Sequence, residues 1–448
     1  MQTVTDKSLI NSKSNLLIHQ LSISDIEKFY LKNITDKLKI GLEYERLSLD
    51  KNTYETADYE RVERIIEHFA SIKKWELIYD DETVIGAKDN LGSSISLEPG
   101  CQFELSLAPK NDIVAIDIEA SRILDLLDNI AQIYDVIFLG YGITPKSGVD
   151  EIELINKRRY KIMNQYLPNC SKGELCTKMM RQSAGIQINV DYKNKEDAYD
   201  KLKLFNLIMP FISGFCSNSP IENDTLKEFK SIRNNVWRFT GENRCNLFYK
   251  NIFKKKFFKY RNIFKNYIDE IIDIPMVFIE RDNEYIPING EITFRQFMKS
   301  GYKGYKAQYS DYINHQSLCF PDVRLKNYIE IRNHDSNSLE FALGLCSLYK
   351  GICLGDIKTL LQELKYLKLN ETDKYFESAS LMGLDFEIGK YSAWEIVEKI
   401  LNFSKKNLNP AERIYLNPLI KLLQQKKTPA DILLDCDIQS AKELVEFI

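Results

Sequence analysis

The stretch IGLEYERLSL, Ile40–Leu49, alternates along its whole length. Side chains two apart on a β-strand share a face. Glu43 and Glu45 therefore point one way, and Ile40, Leu42 and Tyr44 the other. Three more stretches follow the same rule. In SLEPGCQFELSL, Ser96–Leu107, residues Gln102, Glu104 and Ser106 oppose Cys101, Phe103, Leu105 and Leu107; Glu98 joins the polar set if the bend at Pro99–Gly100 keeps its direction. In GIQINVD, Gly185–Asp191, residues Gln187, Asn189 and Asp191 oppose Ile186, Ile188 and Val190. In VRLKNYIEIR, Val323–Arg332, residues Tyr328, Glu330 and Arg332 oppose Ile329 and Ile331. A sheet with one apolar and one polar face is typically antiparallel, and its polar face can simply meet water. Here the first two strands carry mainly Glu and Gln on that face, with no Lys between them. Gathered carboxylates repel one another unless something positive offsets the charge, which favours an oxygen-ligand site for Mg²⁺ and nucleotide phosphates.

Around these strands the pattern is helical. Glu60–Trp75, Asp112–Tyr134 and Lys195–Phe215 read as helices, and from Ser338 onward helical periodicity dominates. Strands early and helices late predict an α+β fold with antiparallel or mixed strands. The expected organisation is a helical lead-in over residues 1–36, a sheet-containing body over 37–337, and a helical C-terminal segment over 338–448 packed on that body.

The composition sets limits. With 448 residues, 44% hydrophobic and 28% charged, the chain suits one large enzyme body or two packed domains. A net charge of −3 and a pI near 6.0 argue against nucleic acid as a partner. The basic, aromatic run FKKKFFKYRNIFK at 253–265 reads as an amphipathic helix with its lysines in water. No apolar run is long enough to span a membrane, and the polar N-terminus has no signal-peptide core, so the cytoplasm is the expected compartment. Nine widely spaced cysteines with no C-x-x-C pair predict reduced, mostly buried thiols. Phosphate-loop, nucleophile-elbow and H-E-x-x-H motifs are absent, and four histidines leave little scope for histidine chemistry.

The same strands carry a family resemblance. GLEYE at 41–45, LEPGCQFELSLAP at 97–109, MMRQSAGIQINVD at 179–191, SNSP at 217–220, SIRNNVW at 231–237, ITFRQFM at 292–298 and FPDVRLKNYIEIR at 320–332 occur in the order seen in glutamate–cysteine ligases of the type found in plants and many bacteria. The chain resembles that family over roughly residues 38–345. The resemblance implies a curved, mostly antiparallel sheet forming a funnel like that of glutamine synthetase, flanked by helices. It also implies ATP as co-substrate and two or three Mg²⁺ ions. Glu43, Glu45, Glu98, Glu104 and Glu330 fall on positions that look like metal ligands; Gln187 lies where a relative places a histidine ligand. Arg332 is placed to meet ATP phosphate, and it and Glu104 are the expected catalytic residues; Arg181 and Arg233 look like clamps for the glutamate substrate. The implied reaction joins the γ-carboxylate of L-glutamate to the amine of L-cysteine through a γ-glutamyl phosphate, the first step of glutathione synthesis. The same chemistry with another amine acceptor is the alternative. Two departures stand out. Cys101 replaces the second glycine of the family's P-G-G-Q, which is awkward if that backbone needs a positive φ. Ser183–Ala184–Gly185 replaces a cysteine-containing segment of plant relatives.

Overall fold

The computed structural model describes residues 20–245, 252–253 and 260–448. Nine strands form one open sheet: β1 (Ile40–Asp50), β2 (Glu76–Asp80), β3 (Thr83–Lys88), β4 (Ser94–Leu97), β5 (Phe103–Ser106), β6 (Val136–Leu139), β7 (Gly185–Val190), β8 (Val323–Leu325) and β9 (Ile329–Asp335). Their order is β8-β9-β7-β1-β5-β4-β3-β2, with β6 paired to the far half of β1, and all these pairings are antiparallel. The longest strand, β1, sits in the middle, so the IGLEYERLSL stretch is the spine of the sheet. Glu43 lies opposite Gln187 on one side and Ser106 on the other, and Glu45 lies opposite Glu104.

The apolar half of the alternation is the core. Ile40, Leu42, Ile186, Ile188, Val190, Ile329 and Ile331 are fully buried. The helices Lys195–Phe215 and Leu339–Leu354 pack on this layer. Each starts at a side-chain cap: Asn194 accepts from the Asp197 amide, and Ser338 from the Phe341 amide. The Lys195–Phe215 helix is buried on nearly every side, which matches its lack of a polar stripe. The hydrophobic core is continuous from Ile26 to Leu444. A buried ion pair between Lys350 and Glu412 fastens the late helices to the start of Ile113–Ile133: Lys350 Nζ donates to the Asn111 carbonyl at 2.6 Å, and Glu412 accepts from the Ile113 amide at 3.0 Å.

Two of the four stretches are hairpins rather than single strands. Ser96–Leu107 splits into β4 and β5 at a tight turn, and Val323–Arg332 splits into β8 and β9 at Lys326–Tyr328, where Asn327 suits a turn. Strands β2 and β3 form a further hairpin. The second hairpin has a consequence for the site, because it sets Arg324 directly opposite Glu330. The first described helix is Ile23–Lys32, capped by Ser22. Of the expected lead-in, residues 1–19 lie outside the described residues, as do 254–259 of the basic run; its described helix is Ile263–Ile272. Among the described residues, no helix is long and apolar enough to cross a membrane.

None of the nine cysteines is disulfide-bonded: seven are buried, Cys170 is half-buried and Cys436 is exposed. Thiol titration of the native protein should therefore show one fast site, lost in Cys436→Ser, and one slower site, lost in Cys170→Ser. The remaining seven should react only on denaturation.

Candidate active site

The polar face of the sheet is built outward from β1. Glu45 accepts from the Gly185 amide at 2.6 Å and from Gln187 Nε2 at 3.0 Å, and Glu43 accepts from Asn189 Nδ2 at 2.8 Å. On the other side Glu104 accepts from Ser106 Oγ at 2.6 Å and faces Ser96 across the β4–β5 pair. These bonds use neutral donors. Neither Glu43 nor Glu45 forms an ion pair within 4 Å among the described residues. The electrostatic result is uphill for a carboxylate. Burial pushes Glu45 up to about 8, with Glu98 and Glu104 pushing the same way and Arg233 and the Gly185 amide opposing. Glu43 is also raised, by burial and then by Glu330 and Glu104.

Glu330 is the opposite case on the same face. Burial alone would raise it, but Arg324, Lys326 and Arg332 together hold it well below the ordinary carboxylate range. Arg324 grips it with two bonds, at 2.7 and 3.1 Å; Lys326 lies at 3.1 Å and Arg332 Nη1 at 2.8 Å. Arg332 Nη1 also donates to Gln187 Oε1 at 2.7 Å, so Gln187 bridges Glu45 and Arg332. The pairing of β9 with β7 shifts between Ile331 and His334, placing both Arg332 and Asn333 against Gln187. This bulge aims two consecutive residues at the site and turns His334 into the core, where it meets the Ile186 carbonyl and the Tyr349 hydroxyl.

Arg233 enters from the short helix Ile232–Trp237, which Ser231 caps. It is buried and donates to Asn333 Oδ1 at 3.2 Å and to the Arg332 carbonyl at 3.4 Å. A Cβ at position 185 would lie 2.3 Å from Arg233 Nη2, so glycine is needed there. Asp335 organises this corner. Its carboxylate accepts from Ser219 Oγ at 2.7 Å, Ser231 Oγ at 2.9 Å and the Asn218 amide at 2.9 Å, and lies 4.0 Å from Arg233. The SNSP stretch and the cap of the arginine helix therefore hang on one acid.

Glu98 begins the β4–β5 turn. The Cys101 amide donates to the Glu98 carbonyl at 3.0 Å and the Glu98 amide to the Gln102 carbonyl at 2.9 Å, with Cys101 at φ 65°. This left-handed position is where glycine is normally used, yet the thiol is buried, and its acidity is suppressed by burial. Gln102 does not join the polar face. It folds back to accept from the Gly100 amide and to donate to the Met180 and Ser183 carbonyls at 3.1 and 2.9 Å. Those carbonyls flank Arg181, and a Cβ on Gly100 would meet the Arg181 carbonyl at 2.1 Å. Arg181 itself reaches the Val149 and Ile152 carbonyls and Asn164 Oδ1, not a carboxylate of the sheet. The structure thus gathers Glu43, Glu45, Glu104, Gln187, Glu330, Arg332 and Arg233 in one connected region. Glu98 reaches it through its field on Glu45, and Arg181 through the backbone of the turn.

Some participants went unnamed in the sequence. Arg324 was hidden by reading one strand where there is a hairpin, and Asp335 by the bulge. Lys157 stacks on Tyr160 at 4.4 Å and is electrostatically coupled to Glu98 and Glu104; burial lowers it. No alternation rule reaches this loop residue. Among the described residues, no three of His, Cys, Asp and Glu converge closely enough to hold one metal ion.

The fold is shared with solved structures. It is similar to a glutamate–cysteine ligase from Francisella tularensis solved in complex with AMP (TM-score 0.58, 12% identity, covering 92% of this chain and 88% of that one). It is also similar to a bifunctional glutathione synthetase from Pasteurella multocida (TM-score 0.53, 11% identity, 95% and 54%). In sequence it is 29% identical to a chloroplastic glutamate–cysteine ligase of Arabidopsis thaliana over 408 residues, covering 89% of this chain and 76% of the relative. A chloroplastic ligase B of Oryza sativa subsp. japonica is 28% identical over 407 residues. Residues 39–378 match Glutamate-cysteine ligase family 2 (GCS2), and the chain belongs to that family. These sequence relatives overturn the cytoplasmic expectation, since all of them are chloroplastic. Plastid transit peptides are amphipathic and carry no apolar signal core, so that criterion does not bear on a plastid address.

Folded Glu45 keeps its proton to about 8, whereas an ordinary glutamate releases it near 4.5. The folded chain therefore binds more protons across that window, and stability falls as pH rises through it. In chelator, the thermal midpoint of the wild type should decline from about pH 5 to about pH 8. The decline should be shallower in Glu45→Gln; parallel curves would refute the assignment.

Proposed function

We propose that this chain carries out the ATP-dependent ligation of the L-glutamate γ-carboxylate to the amine of L-cysteine, the reaction its family denotes, on the polar face of the sheet. The observation that carries the reading is the division of that face: under-neutralised carboxylates at Glu43 and Glu45 on one side, and Arg332 and Arg233 beside them.

Magnesium fits this donor set. The ligands on offer are hard oxygens, burial and the neighbouring Glu98 and Glu104 hold Glu45 as an acid, and Asn189 Oδ1 is buried with no hydrogen-bond donor among the described residues. Mg²⁺ takes one or two carboxylates together with substrate phosphates rather than a full protein cage. Glu43, Glu45, Glu98 and Glu104, with Gln187, are the proposed ligands. Glu330, already held by three cationic groups, would first have to give up part of that contact. When bound, the ions neutralise charge on the transferring phosphoryl group.

The chain's own residues then position the reactants. Arg233, a planar fork on a fixed helix, binds a glutamate carboxylate, and Arg181 completes the clamp by leaving its carbonyl partners. Arg332, oriented by Glu330 and Gln187, meets the ATP phosphates. The γ-carboxylate oxygen attacks the γ-phosphorus and ADP leaves. The cysteine amine then attacks the acyl carbon, loses a proton, and phosphate leaves. Positioning and charge neutralisation supply most of the help such a transfer needs.

Purified protein given glutamate, cysteine, ATP and Mg²⁺ should release phosphate, and omitting glutamate should abolish the release. Glu104→Gln should cost about two orders of magnitude in turnover; near wild-type activity would sink the metal assignment. In a panel of amines, cysteine should give the highest kcat/KM. A better acceptor among 2-aminobutyrate or simple amines would leave the chemistry standing and change the product.

A further inference from the structure

Two arginines that the proposed reaction gives to different ligands share one aromatic ring. The Trp237 indole closes the helix that carries Arg233. The Arg233 guanidinium lies 5.6 Å from its centroid and that of Arg332 5.9 Å, both within cation–π range. The two guanidiniums repel each other. Burial lowers the affinity of Arg233 for its proton, Asp335 and Glu45 oppose this, and Arg332 adds to it. The backbone ties them again through the Arg233 bonds to Asn333 and to the Arg332 carbonyl. A small cleft bounded by Trp237, Phe320, Pro321, Asp322, Arg332 and Asn333 opens at the same ring. Around it, Arg233 Nε, Arg332 Nε and the indole N–H are buried with no acceptor among the described residues. Buried donors left unpaired are costly, and three at one ring mark a place prepared for acceptor-rich groups.

We propose that Trp237 is a positioning residue whose indole seats Arg233 and Arg332 side by side, so that the carboxylate of glutamate and the phosphates of the nucleotide are received by one pre-formed unit. This rests on the assignment of Arg233 to glutamate and Arg332 to nucleotide. Removing the ring takes the shared face from both guanidiniums and leaves their repulsion. Each ligand must then order its own arginine as it binds, so both affinities fall together. A residue that served one site, or only the fold, would not show that pairing.

Equilibrium binding of glutamate alone, and of a non-hydrolysable ATP analogue with Mg²⁺ alone, tests this by calorimetry. Trp237→Leu should weaken both by about fivefold or more, and Trp237→Phe, which keeps a ring face, should restore most of each. At saturation kcat should change less than either KM. Arg233→Met should weaken glutamate alone and Arg332→Met the nucleotide alone. If the arginine variants behave so and Trp237→Leu leaves either affinity unchanged, the shared-seat role is overturned while the arginine assignment stands. If the arginine variants bind both ligands normally, the assignment fails and the proposal with it. Should Trp237→Leu not fold, a protein with Trp75→Phe and Trp394→Phe leaves Trp237 as the sole indole of the three. Its emission should then shift with each ligand separately, and a response to one ligand alone would overturn the proposal.

Discussion

The structure depends on how a buried carboxylate is neutralised. Glu330 and Glu45 stand two strands apart on one sheet, Glu330 fully buried and Glu45 half-buried. Glu330 is surrounded by Arg324, Lys326 and Arg332 and stays ionised. Glu45 has only an amide, a glutamine and the distant help of Arg233. The difference is a matter of placement: the cations come from the β8–β9 hairpin, at the edge of the sheet, and reach only as far as Gln187. Two carboxylates with environments pushed in opposite directions are the usual sign of divided roles. One anchors Arg332, and the other keeps a demand for positive charge.

The alternation of β1 and β7 was fully legible, because a central antiparallel strand with one buried face leaves no freedom in its parity. Glu43, Glu45, Glu104 and Gln187 accordingly share the face assigned from sequence. What alternation could not supply was the position of turns and the break in the ladder. Reading Val323–Arg332 as one strand hid Arg324, the main partner of Glu330. Parity also placed Gln102 with the carboxylates, whereas the left-handed Cys101 turns it into a clamp on the Arg181 backbone. Motif matching located Arg181 and Arg233 but said nothing of what holds them. That depends on Asp335, Gln102 and Gly185, whose contacts are long-range and leave no local pattern.

The Cys101 turn shows how a side chain other than glycine can occupy a left-handed position. Cys101 holds φ 65°, and the side chain that glycine would lack is accommodated in the core. Non-glycine residues in this region cost about 1 kcal/mol or more. Burial of a small apolar thiol offsets a similar amount.

The bulge in β9 sets a counting rule for this chain. Up to Arg332 even-numbered residues face the polar side of the sheet; beyond it the odd-numbered ones do, through Asn333 and Asp335, while His334 belongs to the core. The strand thus works like a vernier, with two scales offset by one residue. A single deletion of Arg332 or Asn333 would bring the scales into step, leaving His334 opposite Ile186 and everything after it on its present face, while the polar side would lose one of its two consecutive residues.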